Sequence, residues 1–144
     1  MAGLRSLFPD WLIFGSFCPV RAAGGVIIMI TSSFASSFTS VVDVAIVTGR
    51  IIRVMLDGPL GSLSVVCIHS NPRLSDAVRL AEIKQVARCA SESLSTISLV
   101  IGDFNVPAPG EERFDLLNKT WATSDQRLAV AVEDLSLRHN PEPT

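Results

Sequence analysis

The sequence lacks an excess of positive charge, a long hydrophobic run and the glycine-rich motifs of nucleotide-binding loops. Its 144 residues include 12 Lys and Arg against 14 Asp and Glu, a formal net charge of -2, which argues against a phosphate-binding surface built on bulk positive charge. No uninterrupted apolar run exceeds Val26–Ile30, whereas a membrane-spanning helix needs roughly 20 such residues, so no membrane partner is expected. Neither G-x-x-x-x-G-K-S/T nor G-x-G-x-x-G occurs, so any phosphate chemistry must come from a different, local site.

Cysteine and histidine are also sparse. Cys18, Cys67 and Cys89 are an odd number, lie far apart and form no C-x-x-C pair, which is typical of free thiols in a reducing compartment. We therefore expect an intracellular protein, cytoplasmic or nuclear. His69 and His139 have no Cys or His at the spacing of metal ligands, so a structural zinc site is not indicated.

Hydrophobic residues make up 48% of the chain and charged residues 18%, which predicts one packed domain. The first part of the chain, residues 1–20, is apolar and aromatic without clear periodicity, and we expect an irregular N-terminal segment there, followed by a domain over 21–144. Thr48-Gly49 predicts a hairpin turn. Apolar, mostly β-branched runs predict four strands, at residues 26–31, 41–47, 50–56 and 63–69.

The second half of the chain has a different period. Apolar residues recur every three or four positions from Ser75 to Ser91, which predicts an amphipathic helix with Ser75 as its N-cap. Residues 97–101 predict a short buried strand, and a loop follows from Gly102. A last helix is predicted over 124–137. This order of elements indicates an α/β fold with a mixed β-sheet, flanking helices and at least one parallel crossover.

The predicted strand–helix–strand unit brings distant polar residues to one edge of the sheet. A crossover that contains a helix normally joins parallel strands, so the carboxyl ends of strands 63–69 and 97–101 should lie side by side. Open α/β sheets bind ligands at this edge. We therefore expect His69 and the group Gly102-Asp103-Phe104-Asn105 to converge on one cleft.

Four segments resemble a known family in their order and spacing. Residues 101–105 resemble the G-D-x-N signature of the endonuclease/exonuclease/phosphatase superfamily, whose fold is DNase I-like. Residues 66–72 resemble the strand of that family that ends in His or Tyr and is followed by Pro. Residues 23–26 are similar to the A-G-G-V that opens an earlier strand of the family, and residues 49–51 to a G-R-I hairpin position.

The resemblance covers about residues 20–144 and implies a partial DNase I-like two-sheet sandwich. Residues 112–115 and 140–144 are similar to the retrotransposon-type endonuclease branch. Two parts of the family pattern find no match: an N-terminal Asn with a Q-E segment whose Glu binds the metal, and a closing S-D-H whose His is catalytic. We therefore expect the middle of a family domain, truncated at both ends and weak or inactive as this chain.

The resemblance also implies a chemistry and a set of site residues. Members hydrolyse phosphodiesters with a divalent ion, Mg²⁺ or Mn²⁺, and the branch favours nucleic acid as the partner of the intact domain. Asp103 would hold the metal or orient the attacking water, and Asn105 would donate its amide to a phosphate oxygen. His69 would hydrogen-bond the phosphate or shuttle a proton, and Arg50 would position a phosphate or a neighbouring side chain.

Each of these residues also has a plainer interpretation. G-D-x-N is a common strand-to-turn ending, His69 would then be a half-buried histidine at a strand end, and Arg50 a solvated hairpin residue. The alternative function is a non-catalytic remnant that binds partners or self-associates through uncovered sheet edges. The substrate stays open among DNA, RNA, lipid and inositol phosphate.

Overall fold

The computed structural model describes residues 2–19, 24–92, 96–105, 112–115, 120–123, 130–132 and 134–135. The helices are α1 (Ala2–Leu7), α2 (Ser32–Ala35) and α3 (Asp76–Ser91), and the strands are β1 (Trp11–Phe17), β2 (Gly25–Thr31), β3 (Ser40–Val47), β4 (Ile51–Gly58), β5 (Gly61–His69), β6 (Thr96–Asp103), β7 (Glu112–Asp115) and β8 (Thr120–Thr123). The fold is α/β, as predicted. In the described part of the chain no helix has the length and apolar character needed to cross a bilayer.

A four-stranded mixed sheet in the order β3-β4-β5-β6 organises the molecule, with β1-β2 and β7-β8 as separate two-stranded sheets. Strands β3, β4 and β5 pair antiparallel, and β5 pairs parallel with β6. Helix α3 is the crossover between these parallel strands, which confirms the predicted strand–helix–strand unit. Strands β4 and β5 are buried on both faces, which explains why their sequences are nearly continuous apolar runs.

Each face of this sheet has its own hydrophobic core. One face packs against the sheet β1-β2, and its core contains Val26, Ile28, Ile30, Ala35, Ile52, Val54, Leu56 and Val65. The other face packs against α3, with Ile51, Val66, Ile68, Ile83, Val86, Cys89 and Leu135. The sheet is therefore the middle of three layers. Its faces are largely covered, so a ligand would reach it most easily at its edges and at the ends of its strands.

The hairpin between β3 and β4 is present, and its turn determines where Arg50 lies. Residues 48–50 form the turn, and Gly49 has φ +75°, which favours glycine because it has no Cβ. A Cβ on Gly49 would also lie 2.6 Å from the backbone nitrogen of Cys18. Arg50 belongs to this turn and not to the strand, since β4 begins one residue later than predicted.

Two parts of the chain differ from the sequence-based expectation. The segment over 1–20, expected to be irregular, contains α1 and β1, and β1 pairs antiparallel with the whole of β2. The apolar residues of β1 lie on both of its faces. The sequence therefore lacks the alternation of apolar and polar residues that identifies a half-buried strand. Strands β7 and β8 fall where no strand was predicted.

The predicted last helix is observed as far as the structure describes it. Residues 130–132 and 134–135 are helical, and Leu135 packs into the core beside α3. His139 and residues 140–144 lie outside the described residues.

Candidate functional site

Arg50, His69 and Asp103 form a row of adjacent backbone positions at one edge of the four-stranded sheet, which we call the edge row. His69 is the register partner of Asp103 at the carboxyl ends of the parallel strands β5 and β6. The backbone N–H of His69 donates to the carbonyl oxygen of Arg50 at 2.8 Å. His69 and Asp103 therefore lie side by side at the carboxyl ends of these two strands, as the predicted crossover requires.

The side chains of the edge row do not all lie together. His69 follows Val65 and Cys67 in the alternation of β5, so it lies on the face turned towards β1-β2, and its partner Asp103 shares that face. His69 is half-buried and Asp103 is exposed. The side chain of Arg50 instead reaches Glu82 of α3, with Nε 2.7 Å from Oε1. The imidazole and the carboxylate are thus the pair that this edge presents on one face.

The loop after β6 is held against the loop after β5 by hydrogen bonds. The side-chain amide of Asn105 donates to the carbonyl oxygen of Ser70 at 2.7 Å, and the backbone N–H of Ser70 donates to the carbonyl oxygen of Asp103 at 2.8 Å. The backbone N–H of Asn105 donates to Oδ1 of Asp103 at 2.8 Å. Asn105 has φ +50°, a conformation that asparagine tolerates better than most residues. Both polar residues of G-D-x-N therefore shape this turn.

Two charged residues of α3 that the sequence analysis did not single out lie near this end of the sheet, Arg79 against these loops and Glu82 against Arg50. Arg79 and Glu82 are both buried, on the same helix face as Ile83 and Val86. Their spacing of three and four residues from the apolar positions follows the helical period, so charged residues in an apolar register were the signal that could have identified them.

Glu82 is a buried carboxylate between two cations. Its side chain is 4% exposed and that of Arg50 is 30% exposed. The Arg50–Glu82 contact is a close ion pair without the geometry of a hydrogen bond, and among the described residues neither carboxylate oxygen accepts one. Loss of hydration on burial raises the pKa of Glu82, and the positive charges of Arg50 and Arg79 oppose this rise without cancelling it. Glu82 is thus an ionisable group that the folded state holds more easily as the neutral acid.

We predict that Glu82→Gln gains stability relative to the wild type as the pH rises. The pKa of Glu82 is raised in the fold, so its contribution to stability is fully present below the unfolded pKa of about 4.3 and is lost as the pH rises through the folded pKa. Urea unfolding at several pH values between about 4 and 8 measures the difference. Asp43→Asn, which removes an exposed carboxylate, controls for loss of one negative charge. A Gln variant that loses stability relative to the wild type with rising pH would contradict the assignment.

An apolar groove elsewhere in the molecule is not part of the edge row. It has a volume of about 400 Å³ and lies between β2 and the strands β4, β5 and β6. Its lining is Ile27, Ile28, Met29, Ile30, Thr31, Phe34, Leu56, Leu63, Val65, Leu99 and Ile101. None of the described residues that line the groove is ionisable, so we describe the chemistry of the edge row.

The donor set at the edge row limits how a metal ion could be held. In the part of the chain that the structure describes, no group of three or more His, Cys, Asp or Glu side chains is arranged to bind a metal. The edge row offers the single carboxylate of Asp103. Mg²⁺ is commonly bound through one or two carboxylates and completed by substrate phosphate and water, so the residues fit a Mg²⁺ or Mn²⁺ that binds together with a phosphate group.

A scan against models of known protein families finds no match to this chain, and a search of curated protein sequences finds no match either. The family resemblance and the function therefore depend on the motifs and the geometry described above.

Proposed function

We propose that the edge row, together with Asn105, is the phosphate-binding site of a metal-dependent phosphodiester hydrolase of the endonuclease/exonuclease/phosphatase superfamily, of the retrotransposon type and acting on nucleic acid. The observation that carries the proposal is the register pairing of His69 with Asp103 at the carboxyl ends of two parallel strands. An imidazole and a carboxylate 34 positions apart in the sequence thereby flank the place where open α/β sheets bind ligands.

Each residue of the site has a role that its environment supports. Asp103 is exposed, so its carboxylate is accessible to a divalent ion or to water. His69 is half-buried at the same edge and can donate a hydrogen bond to a phosphate oxygen or pass a proton. The side-chain amide of Asn105, which donates to the carbonyl oxygen of Ser70, holds the loop that carries Asp103, and Arg50, which is paired with Glu82, adds its positive charge to this end of the sheet from the other face. The free thiols support the proposed intracellular location, cytoplasmic or nuclear.

The proposed hydrolase is weak as this chain. A divalent ion would supply charge stabilisation to the phosphate in the transition state. Among the described residues of the edge row, Asp103 would have to serve both that ion and the attacking water, and one carboxylate cannot fully do both. A general base contributes about 10²–10⁴-fold to a rate. We therefore expect the chain to bind a phosphodiester but to hydrolyse it slowly.

We predict Asp103-dependent binding of nucleic acid in the presence of Mg²⁺. A fluorescent single-stranded DNA oligonucleotide should bind the wild type, and Asp103→Ala should weaken this binding at least tenfold, since a lost charge-assisted contact is worth about 1.5–3 kcal/mol. Cleavage of plasmid DNA and of an abasic duplex, measured beside it, should be slow and should vanish in the same variant.

Asp57→Ala, which removes an exposed carboxylate at the far end of β4, is the matched control and should bind as the wild type does. Binding that is indifferent to Mg²⁺ and to Asp103 would refute the proposed site. Robust cleavage that depends on Asp103 would instead contradict the expected low activity and would still support the proposed site.

A second candidate function is self-association, and the last strand of the sheet favours it. Strand β6 lies at the edge of the four-stranded sheet, and its side chains Ile97, Leu99 and Ile101 are all exposed. Exposed apolar edge strands pair with other chains readily. Light scattering of the protein at the concentrations of the binding experiment discriminates the two candidates, because a monomer that binds the oligonucleotide supports the hydrolase alone.

A further inference from the structure

Arg79 is a buried cation that contacts the loops on both sides of the proposed site. It is 5% exposed, and it closes the first turn of α3. A buried charge is stable only when it is paired and hydrogen-bonded, so its partners show what holds it in place. Every contact described for its guanidinium is with an oxygen atom.

These oxygen atoms belong to three different segments. Nη2 donates to the backbone carbonyl of Asn105 and lies 3.5 Å from that of Phe104. Nε lies 3.5 Å from Oγ of Ser70, and Nη1 lies 3.3 Å from Oδ1 of Asp76. One planar group thus joins the start of α3 to the loop after β5 and to the loop after β6.

The same two loops carry the polar atoms of the edge row. Ser70 is fully buried and directly follows His69. Its backbone carbonyl oxygen accepts a hydrogen bond from the side-chain amide of Asn105. Asn105 in turn donates its backbone N–H to the carboxylate of Asp103. A shift of the Asn105 carbonyl would therefore move the hydrogen bond that orients this carboxylate.

We propose that Arg79 is a positioning residue of the phosphate site, whose guanidinium fixes the Asn105 turn against Ser70 and thereby orients Asp103. This inference rests on the proposed function. Arg79 does not touch the substrate in this scheme, because it is buried beneath the loops. Its effect is transmitted through Asn105, whose left-handed backbone needs the surrounding contacts to persist.

A lysine at this position cannot replace the arginine. The guanidinium carries five N–H groups in a rigid fork, which can serve several acceptors at once, whereas an ammonium group is a compact point charge on a flexible stem. Arg79→Lys therefore keeps the charge and loses the geometry that joins the two loops. A site that is displaced by about 1 Å loses up to about 10²-fold in function.

The experiment compares Arg79→Lys with Arg73→Lys, the same substitution at an exposed residue of the loop before α3. Binding of the fluorescent single-stranded oligonucleotide with Mg²⁺ is measured beside ¹⁵N NMR spectra of Asn105. We expect at least tenfold weaker binding in Arg79→Lys, together with shifted backbone and side-chain amide signals of Asn105 and faster exchange of its backbone N–H. Arg73→Lys should leave the affinity and these signals unchanged.

The two readouts distinguish failure of this inference from failure of the proposed function. If the wild type shows no Asp103-dependent binding, the proposed function is wrong, and the Asn105 signals alone decide the role of Arg79. Unchanged Asn105 signals, or unchanged affinity in a folded Arg79→Lys variant, would overturn the positioning role.

Should Arg79→Lys fail to fold, the wild-type protein provides the test. Guanidinium protons of Arg79 that are hydrogen-bonded as described should exchange slowly and show nuclear Overhauser effects to Asn105. Exchange as fast as that of the exposed Arg73 would overturn the proposal.

Discussion

Replacing Gly102 with alanine is expected to destabilise the protein strongly, because this glycine allows β6 to lie against β5. Gly102 is the register partner of Ile68 and has φ +135°, where L side chains rarely occur. A Cβ at this position would overlap with the carbonyl oxygen of Ile68 and lie 2.9 Å from its carbonyl carbon. Neither atom can move without breaking the parallel pair. The backbone strain alone costs about 1–3 kcal/mol, and the overlap brings the expected loss above about 4 kcal/mol.

Urea unfolding monitored by circular dichroism measures this loss, and Gly61→Ala is the matched control. Gly61 also has a positive φ, +125°, but a Cβ there would meet nothing within 4 Å. Its substitution should cost only the conformational strain, about 1–3 kcal/mol. Equal losses in the two variants would show that the contact with Ile68 is unimportant and that the close approach of the two strands is misjudged.

The part of the site that could be predicted from the sequence follows from topology. The change of hydrophobic period between residues 63–69 and 75–91 predicts a strand followed by a helix, and a helical crossover requires the next strand to be parallel. From this alone His69 and Asp103 belong at one edge of the sheet, where the structure has them as register partners. No side-chain detail is needed for that step, which is why it could be made without the structure.

What could not be predicted depends on tertiary contacts. Arg79 and Glu82 lie in the apolar register of α3, which could have marked them as buried, but the helical period does not predict which distant groups they contact. Arg50 flanks a hairpin in the sequence and is solvated by that criterion, yet its guanidinium pairs with Glu82 of α3. The partner of a charged side chain that is distant in sequence is not encoded in local periodicity.

The motif G-D-x-N has a structural role in this fold whether or not the site binds phosphate. Gly102 permits the close approach to Ile68, the carboxylate of Asp103 accepts the N–H of Asn105, and Asn105 adopts a left-handed conformation. The plainer interpretation of the motif as a strand ending is therefore also supported. The chemical role depends on the pairing with His69, so functional tests have to change Asp103 while the stability of each variant is measured.

Ile83→Ala is expected to destabilise the protein by about 2–5 kcal/mol, the range for truncating a buried isoleucine to alanine. Ile83 is 1% exposed and lies in the core between α3 and the sheet, beside Ile68 and Val86. Its removal leaves a cavity that a regular helix packed on a sheet cannot fill by collapse. Total stabilities of domains are about 5–15 kcal/mol, so this substitution is expected to remove a large fraction of the free energy of unfolding.

Ile97→Ala is the control for this prediction, because it makes the same chemical change where no cavity can form. Ile97 is 74% exposed on β6, so its substitution should cost within about 1 kcal/mol, set by β-propensity. Both variants are compared with the wild type by urea unfolding at one pH, with the slope of free energy against urea checked for constancy. A loss at Ile83 no larger than that at Ile97 would contradict the packing of α3 on the sheet. Helix α3 carries Arg79 and Glu82 on the same buried face. That outcome would therefore also contradict the positions of these two residues next to the edge row.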